Sequence, residues 1–179
     1  MGSLHFDQQA LRARLERLRP KARADFALRC AERLLPLYQR FHVETGQGDP
    51  DVLNEALYAA RAHLGSGTGC PPEIGSLADR CEALVPVEDE SWTDLSGLAQ
   101  NAAAAMAYAL RSVASGSAED AVWAAVQGVE SADLIASTQL DVDFNEPGIE
   151  ERIVAQEVVQ RELAEQEASL EALEDGECP

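Results

Sequence analysis

The sequence predicts an all-α protein, a compact single-domain bundle of about seven helices. Three observations predict it. Apolar residues recur at spacings of three and four along most of the chain. No segment holds the strict alternation of a half-buried strand. The interruptions fall at Gly, Pro and capping residues, where helices start and stop. Aromatics are only 5% of a chain that is 46% apolar, so the core is read as Leu, Ala and Val knobs on closely packed helices.

Asp7 is placed to cap a first helix with Leu11, Leu15 and Leu18 on one face. Pro20 suits the first turn of a second helix, along which Phe26, Cys30, Leu34, Leu37 and Phe41 recur. Pro36 falls inside that pattern, so a kink or short break is expected there. Gly46 and Gly48 close this helix, and Asp49-Pro50 opens a third with Leu53, Leu57, Ala60 and Leu64 inward. Residues 65–72, Gly65-Ser66-Gly67-Thr68-Gly69-Cys70-Pro71-Pro72, read as a loop. A fourth helix with Ile74, Leu77, Cys81 and Leu84 inward stops before Pro86.

The acidic turn Glu88-Asp89-Glu90 leads through Ser91 or Thr93 into a fifth helix near 92–114. Small residues surround most of its circumference, from Ala99 to Ala109, so it is expected to be the central rod. Ser117 caps a sixth helix, reaching about 138, with Val122, Val126 and Val129 inward. After a loop at 139–148 comes one last helix, about 149–174, that buries Ile149, Ile153, Leu163, Leu170 and Leu173. The domain is thus set at 1–174, with residues 175–179 as a frayed acidic tail.

Charge bounds the partners. The net charge is −18, and it is uneven. Residues 1–45 hold nine basic against five acidic groups, whereas residues 141–179 hold two against 13. A field of that sign repels nucleic-acid phosphates and anionic membranes and attracts basic partners. No apolar run is long enough for a membrane-spanning helix. The first residues lack the apolar core of a secretory signal, and Cys30 and Cys81 fall on apolar faces. A cytoplasmic location is therefore expected.

The motifs that carry chemistry do not assemble. Asp141-Val142-Asp143-Phe144-Asn145 opens like a calcium-binding loop, but Glu146 and Arg152 stand where it needs glycine and a closing glutamate. The glycines at 65–69 are followed by Cys70-Pro71, not by the Lys and Ser or Thr of a phosphate-binding loop. No histidine has a glutamate three residues before it, as a di-metal helical site requires. His63, Cys70 and Cys81 are the only zinc-like trio near in sequence, and their spacing does not fit. Trp123, at helical spacing, is read as core. Trp92, after the acidic turn, is read as a staple of the fifth helix or, with Asp89 and Glu90, as the anchor of a partner. No cofactor or metal is expected, and no catalytic residue.

One segment goes beyond generic helix. Phe26-Ala27, then Glu32-Arg33-Leu34-Leu35-Pro36-Leu37-Tyr38, Phe41, Glu44-Thr45-Gly46 and Gly48-Asp49 resemble the YjaG-like bacterial family, catalogued as domain of unknown function 416. Glu157-Val158-Val159-Gln160-Arg161-Glu162-Leu163 is similar to that family's closing helix. The Ala59–Leu64 stretch departs from it, lacking the tryptophan common there. The resemblance implies an all-helical bacterial protein and no assigned reaction. Read physically, Phe26, Arg33, Leu34, Leu35, Pro36, Tyr38, Phe41, Gly46 and Glu157 are fold-forming, with Arg33 expected to pair with an acid of the closing helix, Glu157.

Taken together, these observations lead to an expectation of a non-catalytic interaction module that binds a basic protein, for example an immunity-type antagonist. The alternatives are a small-molecule-binding regulatory protein, with a pocket beside the fifth helix, and an unrecognised enzyme.

Overall fold

The structure, a computed structural model, describes residues 4–66, 72–88, 90–140 and 147–176. These form helices throughout, with no strand among the described residues. In chain order they are α1 (Gln8–Arg17), α2 (Pro20–Thr45), α3 (Pro50–Ser66), α4 (Glu73–Glu82), α5 (Asp94–Ser115), α6 (Ala118–Leu140), α7 (Ile149–Val154) and α8 (Glu157–Gly176).

Local chemistry sets the boundaries. Asp7 accepts the Ala10 N–H at 2.9 Å and starts α1. Thr93 and Ser96 exchange side-chain-to-backbone bonds and start α5. Ser117 accepts the Asp120 N–H at 3.1 Å and starts α6. Gly46 and Gly116 end α2 and α5 in the left-handed conformation, at φ 70° and 71°, which glycine adopts without a side-chain clash. The sequence places a loop from Gly65, but α3 continues through Ser66.

α2 runs through Pro36 without a break. A proline there removes the hydrogen bond to the carbonyl of Glu32, a cost of about 3 kcal/mol in a helix interior. Leu34, Tyr38 and Phe41 on either side are buried at 4%, 0% and 2% exposure, and that burial holds the helix together.

The last helix is two helices. Ile149 and Ile153 share a face at a spacing of four, but the next buried residue, Val159, is six further on. Six residues displace a side chain by about a third of a turn, so one straight helix cannot bury both groups. The chain bends at Ala155 and Gln156, and Gln160 Nε2 takes up the Val154 carbonyl at 2.9 Å. The same amide closes the chain on itself: its Oε1 accepts the Leu4 N–H at 2.8 Å and its Nε2 donates to the Leu4 carbonyl at 2.9 Å. At the other end α8 reaches Gly176, two residues past the predicted end.

Two long helices share the centre. α5 packs on α2, α3, α4 and α6, while α2 packs on α3, α5, α6 and α8. Twelve of the 22 residues of α5 are buried, half of them alanine, so neighbours approach it on several sides as expected for a central rod. Arg23 locks α1, α2 and α5 where they meet. Its guanidinium donates to the carbonyls of Leu15 and Glu16 at 2.8 and 2.9 Å and of Gly116 at 2.9 Å, at the C-terminal ends of α1 and α5, where carbonyls lack full intrahelical bonding. A smaller apolar cluster of Ala132, Ala136, Ile149, Ile153, Val159 and Leu163 ties α7 and α8 to α6.

Candidate functional site

Most of the positive charges of this chain pair with its own carboxylates. Among the described residues, Arg12 pairs with Glu119, Arg14 with Glu167 and Glu174, Arg29 with Asp25 and Arg33 with Glu162. Arg40 pairs with Glu44, Arg61 with Glu32, Arg80 with Glu55, Arg111 with Glu82 and Arg161 with Glu157. The inward acids of α8, Glu162, Glu167 and Glu174, are thereby spent within the fold. Glu171 and Asp175 remain exposed on its outer face, and Glu165, also exposed, lies on the flank toward α2 and α6.

Arg33 does not meet Glu157, as the sequence suggests. It reaches Glu162, one turn further along α8, by two bonds: Nε to Oε2 at 3.0 Å and Nη2 to Oε1 at 2.7 Å. Glu157 is exposed and pairs locally with Arg161 at 2.6 Å. The rotation of α8 after the bend puts position 162, not 157, against α2. Burial disfavours the Arg33 charge, but the Glu162 carboxylate outweighs it and the guanidinium pKa is raised. Glu162 Oε1 also accepts Gln166 Nε2 at 2.8 Å, and Gln166 reaches the Ala125 carbonyl of α6 at 3.0 Å. Both members of the pair are fully engaged by the fold.

This pair forms the wall of a groove of about 430 Å³ between α2, α6 and α8. Arg33, Leu34, Pro36 and Leu37 line it from one side, and Val158, Arg161 and Glu162 from another. The two stretches that carry the family resemblance, far apart in sequence, therefore face one another here. Phe26, Tyr38 and Phe41 lie in the core instead. Tyr38 donates from its hydroxyl to the Leu84 carbonyl at 3.1 Å and its ring packs 5.9 Å from that of Phe41. Leu35 is half-buried, and Gly46 is the α2 cap.

Of the sequence's partner anchors, Asp89 lies outside the described residues. Glu90 is exposed and Trp92 is half-buried, immediately before the Thr93 cap. The fourth residue of α5 is Gly97, which has no side chain for Trp92 to staple against. Trp123 does not lie in the core, although its helical spacing predicts that it does. It is 37% exposed, stacked on Tyr108 with ring centroids 6.2 Å apart. Arg111 stands 5.8 Å above the Tyr108 ring while pairing with Glu82. Helical spacing could not show this, because α5 flanks Trp123 on one side only.

Cys30 and Cys81 are buried free thiols, each pushed up to about 12 by burial. Asp133 stands apart: its Oδ1 is buried without a hydrogen-bond partner, and burial raises its pKa. Among the described residues no group of three or more His, Cys, Asp and Glu is placed to hold a metal ion, and no helix is long and apolar enough to cross a membrane. Cys70, Cys178 and the stretch 141–146 lie outside the described residues.

Residues 10–178 match the sequence model of a protein of unknown function, DUF416. The fold is similar to the crystal structure of a DUF416 family protein from Shewanella baltica OS155, with a TM-score of 0.76 and 25% sequence identity over 92% of this chain and 84% of that one. No curated protein matches the chain.

Proposed function

Because the chain belongs to the DUF416 family, a bacterial family of unknown function, we propose its role from its surface: it is a non-catalytic interaction module that docks a basic protein, as an immunity-type antagonist does. The observation that carries this reading is the internal use of its cations. At least nine of the 14 basic side chains are paired with carboxylates of the same chain. The excess negative charge is left on the outside, where it steers a basic partner. The exposed acids of α8, Glu165, Glu171 and Asp175, form the docking strip. Glu90 and Trp92 supply a second anchor, an acid beside an amphipathic ring. The buried free thiols suit a reducing cytoplasm as the place of action.

The test is affinity capture from a bacterial lysate on the immobilised chain, eluted by salt. A discrete basic protein should release between about 0.1 M and about 1 M salt, where the Debye length falls from about 10 to about 3 Å. Glu165→Gln/Glu171→Gln/Asp175→Asn should abolish its retention. Neutralising the exposed Glu16, Asp51 and Asp79 instead should leave it. A bound protein insensitive to salt and to both sets of substitutions would sink the reading.

A further inference from the structure

We propose that a cleft at the other end of the charge scale, between the start of α2 and the last turns of α3 and α8, binds a small free organic anion with an apolar body. The cleft measures about 480 Å³, within the range of about 300–1,000 Å³ usual for small-molecule sites. It adjoins the docking strip, since Ala172 and Gly176 of its lining follow Glu171 and Asp175 in the chain, but it does not rest on the interaction reading.

Its lining is of two kinds. Ala22 is buried in the floor, with half-buried Leu64 and Leu173 beside it. Arg19, Lys21 and Arg61 add three cations, of which Arg19 and Arg61 have partners of their own, against one carboxylate among the described lining residues, Asp25. That carboxylate is already held by Arg29 at 2.8 Å. Arg61 is oriented by Glu32 and lies 3.8 Å from Asp25. Lys21 takes part in no ion pair among the described residues.

The combination selects a ligand class. An apolar floor favours a hydrocarbon or aromatic body, and the cations fix an anionic head by charge-assisted hydrogen bonds. A neutral body gains only the first of these. The whole-molecule field of a chain at −18 opposes any anion at long range, so an anion bound here is held by these local cations. The same field disfavours an anionic membrane surface, which makes the ligand a free molecule and not a lipid headgroup.

The probes are 8-anilinonaphthalene-1-sulfonate and N-phenyl-1-naphthylamine, the same rings without the sulfonate, titrated by fluorescence against the full chain. One molecule of the sulfonate should bind per chain. Lys21→Glu should weaken it about tenfold, a change of about 1.4 kcal/mol, and leave the neutral probe within about twofold. Ala172→Phe, at an exposed lining position, should fill the cleft and weaken both, with circular dichroism and thermal midpoint unchanged. Decanoate should displace the sulfonate, and phosphatidylglycerol vesicles should not sediment the protein. Sulfonate binding indifferent to Lys21→Glu and Ala172→Phe would overturn the proposal. Sedimentation with the vesicles would overturn its assignment to a free molecule.

Discussion

A β-carbon on Gly128 would stand 2.5 Å from Oε1 of Glu162. α6 and α8 come as close as they do because residue 128 has no side chain, and the carboxylate fills the space.

Gly128→Ala therefore has a sign that depends on its neighbour. With Glu162 present, displacing the carboxylate costs about 1–3 kcal/mol, more than the 0.5–1 kcal/mol or so that alanine gains in a helix. In a Glu162→Ala background that clash is gone and only the end of the Gln166 side chain, Nε2 at 3.3 Å, stands close, so the same substitution should stabilise by about 0.5–1 kcal/mol. Urea unfolding of the four proteins reads both signs.

The Arg33–Glu162 pair is partly buried, with side-chain exposures of 23% and 12%. Arg33→Met alone strands a carboxylate in the fold and should cost about 3 kcal/mol. Arg33→Met/Glu162→Leu should recover most of that loss, because the unpaired charge is removed along with its partner. Glu157→Ala, on an exposed pair, should stay within about 0.5 kcal/mol of the parent.

Asp133 and Glu174 should act in opposite directions with pH. Burial raises the native pKa of Asp133, so the native state holds its proton longer than the unfolded chain does. Stability is then lost as pH rises through the carboxylate range. Asp133→Asn should stabilise by about 1 kcal/mol at neutral pH, with the gain vanishing below the unfolded pKa. Hydrogen bonding to Arg14 lowers Glu174, so its contribution is present above the unfolded pKa and lost as pH falls through the native one. Glu174→Gln should therefore destabilise slightly at neutral pH and not in acid. Thermal midpoints of the three proteins across pH 3–8, roughly the range of native carboxylate titration, check both signs.

The thiols of Cys30 and Cys81 should be silent in the folded chain. Burial pushes each up to about 12, and only the thiolate is nucleophilic. In a Cys70→Ser/Cys178→Ser protein, Ellman's reagent should find no thiol before denaturant and two after it. Fast reaction of the native protein at mildly alkaline pH would contradict their burial.

Much of this fold was legible in the sequence because its signals are local. The Asp7, Thr93 and Ser117 caps, the Gly46 stop and the apolar stripe of α2 each depend on residues a few positions apart. What was missed depends on the rotation of one helix against another. The partner of Arg33 lay five residues from the expected one, since the bend at Ala155 resets the phase of α8. That six-residue gap between Ile153 and Val159 was visible, and it was the available signal. Trp123 was misread because spacing shows which residues share a stripe, not whether a neighbour covers it. The cationic cleft gathers residues from three helices, and no spacing within one helix announces it.

The clasp between Leu4 and Gln160 spans 156 positions of the chain. During translation the first of these residues emerges long before the second, so α1 and α2 wait for α8. A product released early, before α8 is made, leaves Arg14 and Arg33 without Glu167, Glu174 and Glu162 and the flank of α6 uncovered. Such a fragment leaves open to proteases a surface of α2 and α6 that α8 otherwise covers.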